Sequence, residues 1–249
     1  MSNKNIDDGV AFFDLPWDTK YFGLACSKAV LTKPILQSQW TVLKRKFGNY
    51  QFVSIENIDS NPSNAQMIGK DTTAFLADVN IQFRKKLNTS SRQNDIYRWK
   101  DTIKIHQNLK EEKGILEIAD FKISKFTEDP ELLKRGGAEV YHQWIVNSFG
   151  KNDKYFAVSR GCDNEINGFL LHSYEKNKCI VELIAVSKNK TNGGIGSGLF
   201  RNVEYAAYER GCDEIRVGTQ VRNMGAINFY HKVGCEQIGC HQIYHLWNL

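Results

Sequence analysis

Residues 181–198 decide how the chain is read: Val181-Glu-Leu-Ile-Ala-Val186, then Ser187-Lys-Asn-Lys-Thr-Asn192, then Gly193-Gly-Ile-Gly-Ser-Gly198. The first six residues are an apolar run of strand length. The glycines lead directly into Leu199, Phe200, Val203, Ala206 and Ala207, which share one face of a helix that stops at Gly211. Glycines at a strand-to-helix turn leave backbone N–H groups free to approach a pyrophosphate at the positive end of the helix. The tract lacks the Gly-Lys-Ser/Thr ending of a nucleotide P-loop. No acidic residue follows a second parallel strand, as a dinucleotide fold would require.

Upstream, residues 155–159, 166–174 and 179–186 are β-rich runs separated by Gly-Cys-Asp-Asn and Glu-Lys-Asn-Lys turns, which predicts an antiparallel meander. Before them, Asp129-Pro130 opens a helix with Leu133, Val140, Tyr141, Trp144, Ile145 and Phe149 at three-to-four spacing and Gly150 as its stop. Gly136-Gly137 weakens its first turns. Downstream, Ile215, Val217 and Thr219 alternate as a strand, Asn223 opens a helix over 224–233 closed by Gly234, and 237–247 alternates as a final strand. The order α, βββ, glycine turn, α, β, α, β predicts an α/β (α+β) architecture, a mixed and mostly antiparallel sheet flanked by helices.

The first half echoes this ending: a strand over 50–55, Asn61-Pro-Ser-Asn64 and 65–68 in the place of 223–230, then an alternating strand over 73–84. The echo reads as a decayed internal repeat. Residues 88–95, Asn-Thr-Ser-Ser-Arg-Gln-Asn-Asp, are the most linker-like stretch, giving a truncated first domain over 1–92 and a complete one over 93–249.

With 249 residues, 41% of them apolar and 24% charged, the chain can bury a sizeable core, which excludes disorder and fibrous repeats. Its net charge of +5 is scattered, without a block of five or six Lys/Arg, so nucleic acid is not an expected partner and a modest anionic ligand is. The polar start and the lack of long apolar runs predict a cytoplasmic protein with no membrane partner. Cys26, Cys162, Cys179, Cys212, Cys235 and Cys240 form no zinc spacing and read as buried reduced thiols. His241 and His245 fall in a strand-like tract, so no metal site is expected.

The glycine turn followed, one strand later, by Asn223-x-x-Ala226-x-x-x-Tyr230-x-x-x-Gly234 resembles the GNAT acetyltransferase superfamily. Trp17-Asp18-x-x-Tyr21-Phe22-Gly23, Ser124-Lys-Phe126-x-x-Asp129, Tyr141-x-Gln143-Trp144-Ile145-x-Asn147 and Thr219-Gln220-x-x-Asn223 narrow the likeness to the dTDP-fucosamine acetyltransferase family. That resemblance implies acetyl-CoA as cosubstrate, a dTDP-linked 4-amino-4,6-dideoxyhexose as acceptor, and surface polysaccharide synthesis as context. Oligomeric state is left open, a homodimer included. The chain departs from the family pattern at Thr191, where Gln or Arg is usual, at Lys125 for Arg, at Cys235 for Phe, and at Leu76, where relatives often carry a carboxylate.

Amide formation needs a neutral amine, donors to the thioester oxygen and a proton for the departing thiolate. By resemblance Tyr230 supplies that proton and the N–H groups of Ile184, Ala185 and Val186 serve the oxygen. Thr191, Gly193, Gly194, Ile195, Gly196, Ser197, Gly198 and Asn223 would hold coenzyme A, with Lys188, Lys190 and Arg222 near its phosphates. Glu182 and Asp78 are the candidate bases. Lys125, Tyr141, His142, Trp144 and Gln220 would line the acceptor. Two alternatives stand beside this reading: an acetyltransferase for a protein N-terminus, polyamine or aminoglycoside, and a non-catalytic CoA-binding module.

Overall fold

The computed structural model describes residues 4–7, 9–88, 102–190 and 193–249. The first half runs β1 (Lys4–Asp7), β2 (Val10–Asp14), α1 (Pro16–Phe22), β3 (Cys26–Leu31), α2 (Gln37–Phe47), β4 (Phe52–Asn57), α3 (Pro62–Asp71) and β5 (Phe75–Lys86). The second runs β6 (Ile103–Gln107), α4 (Lys113–Ile118), α5 (Lys125–Glu128), α6 (Pro130–Lys134), α7 (Val140–Ser148), β7 (Tyr155–Arg160), β8 (Ile166–Glu175), β9 (Lys178–Val186), α8 (Ile195–Glu209), β10 (Glu214–Gln220), α9 (Met224–Lys232) and β11 (Glu236–Trp247). The linker-like stretch at 88–95 and the boundary at 92 fall almost wholly outside the described residues.

The described strands form one sheet in the order β1-β2-β3-β4-β11-β5-β10-β9-β8-β7-β6. Two arrangements repeat in it: β2 is antiparallel to β3 and β3 parallel to β4, as β8 is antiparallel to β9 and β9 parallel to β10. The last strand of each half is exchanged. Strand β11 pairs with β4 of the first half, and β5 pairs with β10 of the second. The two exchanged strands pair with each other in the middle of the sheet, so side chains of the first half stand one strand away from β9, across β10.

Alternation assigns the faces. Ile81 and Phe83 of β5 and Ile215 and Val217 of β10 pack with α8 and α9 residues such as Leu199, Phe200 and Tyr230. Asp78, Asn80, Gln82, Gly218 and Gln220 therefore lie on the opposite face. That face is covered in part by α1 and α5–α7. The long helix expected from Asp129 to Gly150 is broken: Gly136 is left-handed (φ 92°), and a 3₁₀ turn over Gly137–Glu139 separates α6 from α7. Only glycine takes that conformation without strain. Of the six cysteines, all free, Cys162 is exposed and Cys240 half-buried; the other four are buried as expected.

Asp129 fastens the end of the chain to this cover. Its Oδ1 caps α6 by accepting from the N–H groups of Glu131 (2.9 Å) and Leu132 (3.2 Å). Its Oδ2 accepts from Trp247 Nε1 (3.0 Å) and meets His245 Nδ1 (2.7 Å). Burial pushes the His245 imidazole below its usual range, so it is neutral near pH 7 and its Nδ1–H donates. Burial opposes the charge on Asp129, but the bonds from His245 and Trp247 outweigh it and hold the carboxyl low. Asp129→Ala should cost about 3 to 5 kcal/mol, because it orphans the buried His245 and Trp247 donors, at about 1 to 3 kcal/mol each, and removes the cap of α6. In a chain of this size that lowers Tm by roughly 6 to 20 °C in calorimetry. A fall below about 3 °C would show that the fastening does not hold β11. Both shifts have one sign in pH: the unfolded chain binds more protons as pH falls through the ordinary His and then Asp values, so acid weakens the fold. No helix among the described residues is long and apolar enough to cross a membrane.

Candidate active site

Strands β9 and β10 pair in parallel at four positions, from Lys178↔Glu214 to Val181↔Val217, and then separate. The cause lies on the other edge of β9. There the register with β8 steps from His172↔Val181 to Leu171↔Leu183, leaving Glu182 as the extra residue of a bulge. A bulge bends its strand and increases twist. It also shifts the phase of alternation, so Val181, Ile184 and Val186 all pack on the α8 face. Beyond it, Ile184, Ala185 and Val186 border a wedge where a tenth-strand partner would otherwise be, and backbone groups so placed need a partner. The corresponding pair in the first half, β3 and β4, stays in register over six positions from Cys26↔Phe52 to Leu31↔Asn57, without a wedge.

The glycine turn lies at the end of β9. Gly194 is the N-cap of α8 in the left-handed region (φ 82°). The first helical bond of the turn is Gly198 N–H to Gly194 O at 2.9 Å, so the N–H groups of Ile195, Gly196 and Ser197 are the ones left for a ligand. Gly198 is buried and its N–H is spent, and the Ile195 side chain enters the core; both support the turn from beneath. A Cβ on Gly196 would stand 3.2 Å from Phe229 of α9 and 3.7 Å from Val186. The bare backbone of this turn, exposed at Gly193, fits a pyrophosphate held by N–H groups at the positive end of a 15-residue helix. Thr191 lies outside the described residues.

Asn223 caps α9, its Oδ1 accepting from Ala226 N–H at 3.1 Å. Two turns on, Tyr230 is 4% exposed and packs against Phe83 and Phe229. Burial pushes its phenol above the ordinary value, which keeps the hydroxyl protonated at any working pH. Through Phe229, α9 is seated on the first turn of α8.

On the opposite face the wedge meets a polar floor. Glu182 is engaged on both oxygens, by Lys154 Nζ at 2.5 Å and by Trp144 Nε1 at 3.0 Å. Tyr141 Oη accepts from Gln220 Nε2 at 3.1 Å, and its ring stacks 6.2 Å from Trp144. Burial pushes the Asp78 carboxyl up to about 6, with the Lys125 ammonium pulling the other way. Burial likewise lowers Lys125, against the fields of Glu56, Asp78 and Asp18. Glu56 itself is paired with Lys28 at 2.7 Å. His142 is half-exposed and enters none of these hydrogen bonds or ring contacts.

Residues 118–235 match the model of the Acetyltransferase (GNAT) family. The chain has a GNAT fold. Among curated proteins it is 25% identical over 137 residues to the spore coat polysaccharide biosynthesis protein SpsD of Bacillus subtilis (strain 168), covering 54% of this chain and 47% of that one. The chain spans about half the length of the curated relatives it matches. Among solved structures, a GCN5-related N-acetyltransferase from Sphaerobacter thermophilus superposes with a TM-score of 0.61 at 12% identity, over 96% of this chain and 76% of that one. A conserved protein of unknown function from Staphylococcus epidermidis ATCC 12228 gives 0.63 at 14% identity, over 100% and 95%.

Within the GNAT fold the sequence-expected residues divide by origin. The turn, Asn223 and Tyr230 come together through one local unit, α8-β10-α9. The residues expected on the acceptor side come from distant elements: Asp78 from β5, Lys125 from α5, Tyr141 and Trp144 from α7. Lys188, Lys190 and Arg222 are each already paired with a carboxylate, Asp120 (2.6 Å), Glu165 (3.6 Å) and Glu128 (2.6 Å). Exposed pairs of this kind are weak and exchange readily for a phosphate. Leu76 is 49% exposed on β5, so the carboxylate of that strand is Asp78, two residues on. Lys154, Lys28 and Glu56 had no signal in the sequence, being isolated charges that only the sheet order brings to the site.

Proposed function

We propose that the protein is an acetyl-CoA-dependent N-acetyltransferase acting on the amine of a nucleotide-linked amino sugar, a dTDP-4-amino-4,6-dideoxyhexose. The observation that carries the transferase reading is the wedge between β9 and β10 opening beside the bare N-terminus of α8. The sugar acceptor rests on the motifs of both halves and on the likeness to a protein named for polysaccharide biosynthesis. The division into 1–92 and 93–249 is proposed as a duplication in which the first copy, without wedge or glycine turn, has become an acceptor-side wall.

Acetyl-CoA supplies the activated acetyl group. The N–H groups of Ile195, Gly196 and Ser197 bind its pyrophosphate, and the wedge-facing backbone of Ile184 to Val186 holds the thioester oxygen. Tyr230 holds a proton at its hydroxyl for the departing sulfur, so the amine attacks directly. Of the two candidate bases, Asp78 takes the amine proton, because Glu182 is occupied by Lys154 and Trp144 and serves to fix the bulge. A carboxyl near pH 6 is ionised at neutral pH yet basic enough to accept a proton.

The sign of the pH dependence follows. As pH falls through about 6, Asp78 gains its proton and kcat/KM declines. Asp78→Asn should lower kcat by roughly 10²- to 10⁴-fold and remove that limb, leaving only the titration of the acceptor amine. If Glu182→Gln removes the limb and Asp78→Asn does not, the base is Glu182. The carboxylates Asp18, Glu56 and Asp78 favour a second reading, a polyamine acceptor. Free-thiol release from acetyl-CoA with a panel of sugar nucleotides, spermidine and peptide N-termini decides between them: turnover of spermidine or peptide alone refutes the sugar reading.

A further inference from the structure

Gly218 is exposed although it lies in β10, in the middle of the sheet. It pairs with Gln82 of β5 on one side, while on the other the pairing with β9 has ended one residue earlier, at Val217↔Val181. It is therefore a gap in the floor beside the wedge. A Cβ there would stand 2.5 Å from Asn80 Oδ1 and 3.0 Å from Gln82 Nε2, so both carboxamides lean across the glycine. They bond to each other, Gln82 Nε2 donating to Asn80 Oδ1. That bond leaves Asn80 Nδ2 as a donor and Gln82 Oε1 as an acceptor, neither with a partner among the described residues. Exchanging O and N in both amides leaves the same complement, one donor and one acceptor. Trp144 on Glu182 reaches the neighbouring strand β9, and Tyr141 on Gln220 reaches β10 two residues beyond Gly218.

We propose that Asn80 and Gln82, lent by the exchanged strand β5 and given room by Gly218, bind a hydroxyl-bearing sugar ring of the acceptor and set its specificity. A hydroxyl both donates and accepts, which matches a side-by-side free donor and acceptor. A charged polyamine presents donors alone, so it would satisfy Gln82 Oε1 but leave the Asn80 Nδ2 donor without an acceptor. This assignment rests on the N-acetyltransferase reading above and names the acceptor group that its cleft selects.

The test compares kcat/KM for a dTDP-4-amino-4,6-dideoxyhexose and for spermidine in the wild type, Asn80→Ala, Gln82→Ala and Gly218→Ala. Each alanine variant should lose roughly 10- to 100-fold on the sugar nucleotide, mostly through KM, as expected for one or two lost hydrogen bonds. The acetyl-CoA Kd by calorimetry should stay within twofold of wild type, which separates lost recognition from misfolding. Gly218→Ala acts from the neighbouring strand on the same carboxamides, so the double variant with Asn80→Ala should lose little more than either alone. A wild type active on the sugar nucleotide with all three variants within twofold would overturn this inference and leave the transferase reading intact. A wild type that acetylates spermidine and no sugar nucleotide would overturn both the inference and the sugar acceptor.

Discussion

Gly194→Asp should reduce acetyl-CoA affinity by roughly 10³-fold. The residue is the N-cap of α8, directly before the three N–H groups left unbonded by the helix. An aspartate carboxylate about 4 Å from a bound phosphate, at the effective dielectric of a protein surface, repels it by about 4 kcal/mol. That corresponds to about three powers of ten in Kd. Conformation is a second effect, because φ is 82° at this position and any side chain is strained there. Gly194→Asn separates the two. Asparagine has nearly the same shape and tolerates the left-handed region at least as well, but it carries no charge. By calorimetry the asparagine variant should lose less than about tenfold. Equal losses in the two variants would mean that strain, not charge, is being measured; unchanged CoA affinity in the aspartate variant would remove the pyrophosphate from this turn.

The contrast between what the sequence disclosed and what it hid has a physical basis. The meander, α8, β10, α9 and β11 were legible because each carries a full period of its own, and Gly211 and Gly234 close the two helices. The chemistry proposed for that unit is readable for the same reason: the turn at 193–198 and Asn223 to Tyr230 are local in sequence, joined by the single strand β10. The bulge at Glu182 was not. Val181-Glu-Leu-Ile-Ala-Val186 looks like an ordinary buried strand, because a bulge is a fact of pairing with β8 and not of composition. Without it Glu182 reads as a surface carboxylate free to act as base, whereas the folded chain puts Lys154 and Trp144 on it.

The strand exchange was hidden for a related reason. Alternation in 73–84 and 237–247 fixes which residues share a face but not which neighbour each strand takes. Asn61 and Asn223 are both N-caps, Asn61 accepting from Ser63 and Asn64 and Asn223 from Ala226. What the echo lacks is instructive. Thr32 to Leu36, the first half's counterpart of the glycine turn, contains no glycine, and its parallel pair never parts. The proposed acceptor floor, Asp78, Asn80, Gln82 and Gly218, spans some 140 positions of sequence and is assembled only by the pairing of β5 with β10.

Tyr230→Phe should lower kcat by roughly 10²- to 10⁴-fold, the range for one positioned proton donor, and leave acetyl-CoA affinity unchanged. The substitution removes one oxygen from a side chain whose ring is held by Phe83 and Phe229, so the packing of α9 against α8 survives. The hydroxyl has no hydrogen-bond partner among the described residues, so its loss orphans nothing in the fold and stability should change little. Burial raises the phenol above its ordinary value. The group is protonated throughout the working range, so no alkaline limb below pH 10 belongs to it. It also donates most strongly once negative charge builds on the sulfur, so the interaction is worth more in the transition state than in the bound ground state. Loss should therefore appear in kcat and kcat/KM alike, with KM for acetyl-CoA near wild type. A raised KM with normal kcat would instead make Tyr230 a wall of the pantetheine channel, and the sulfur would then take its proton from water.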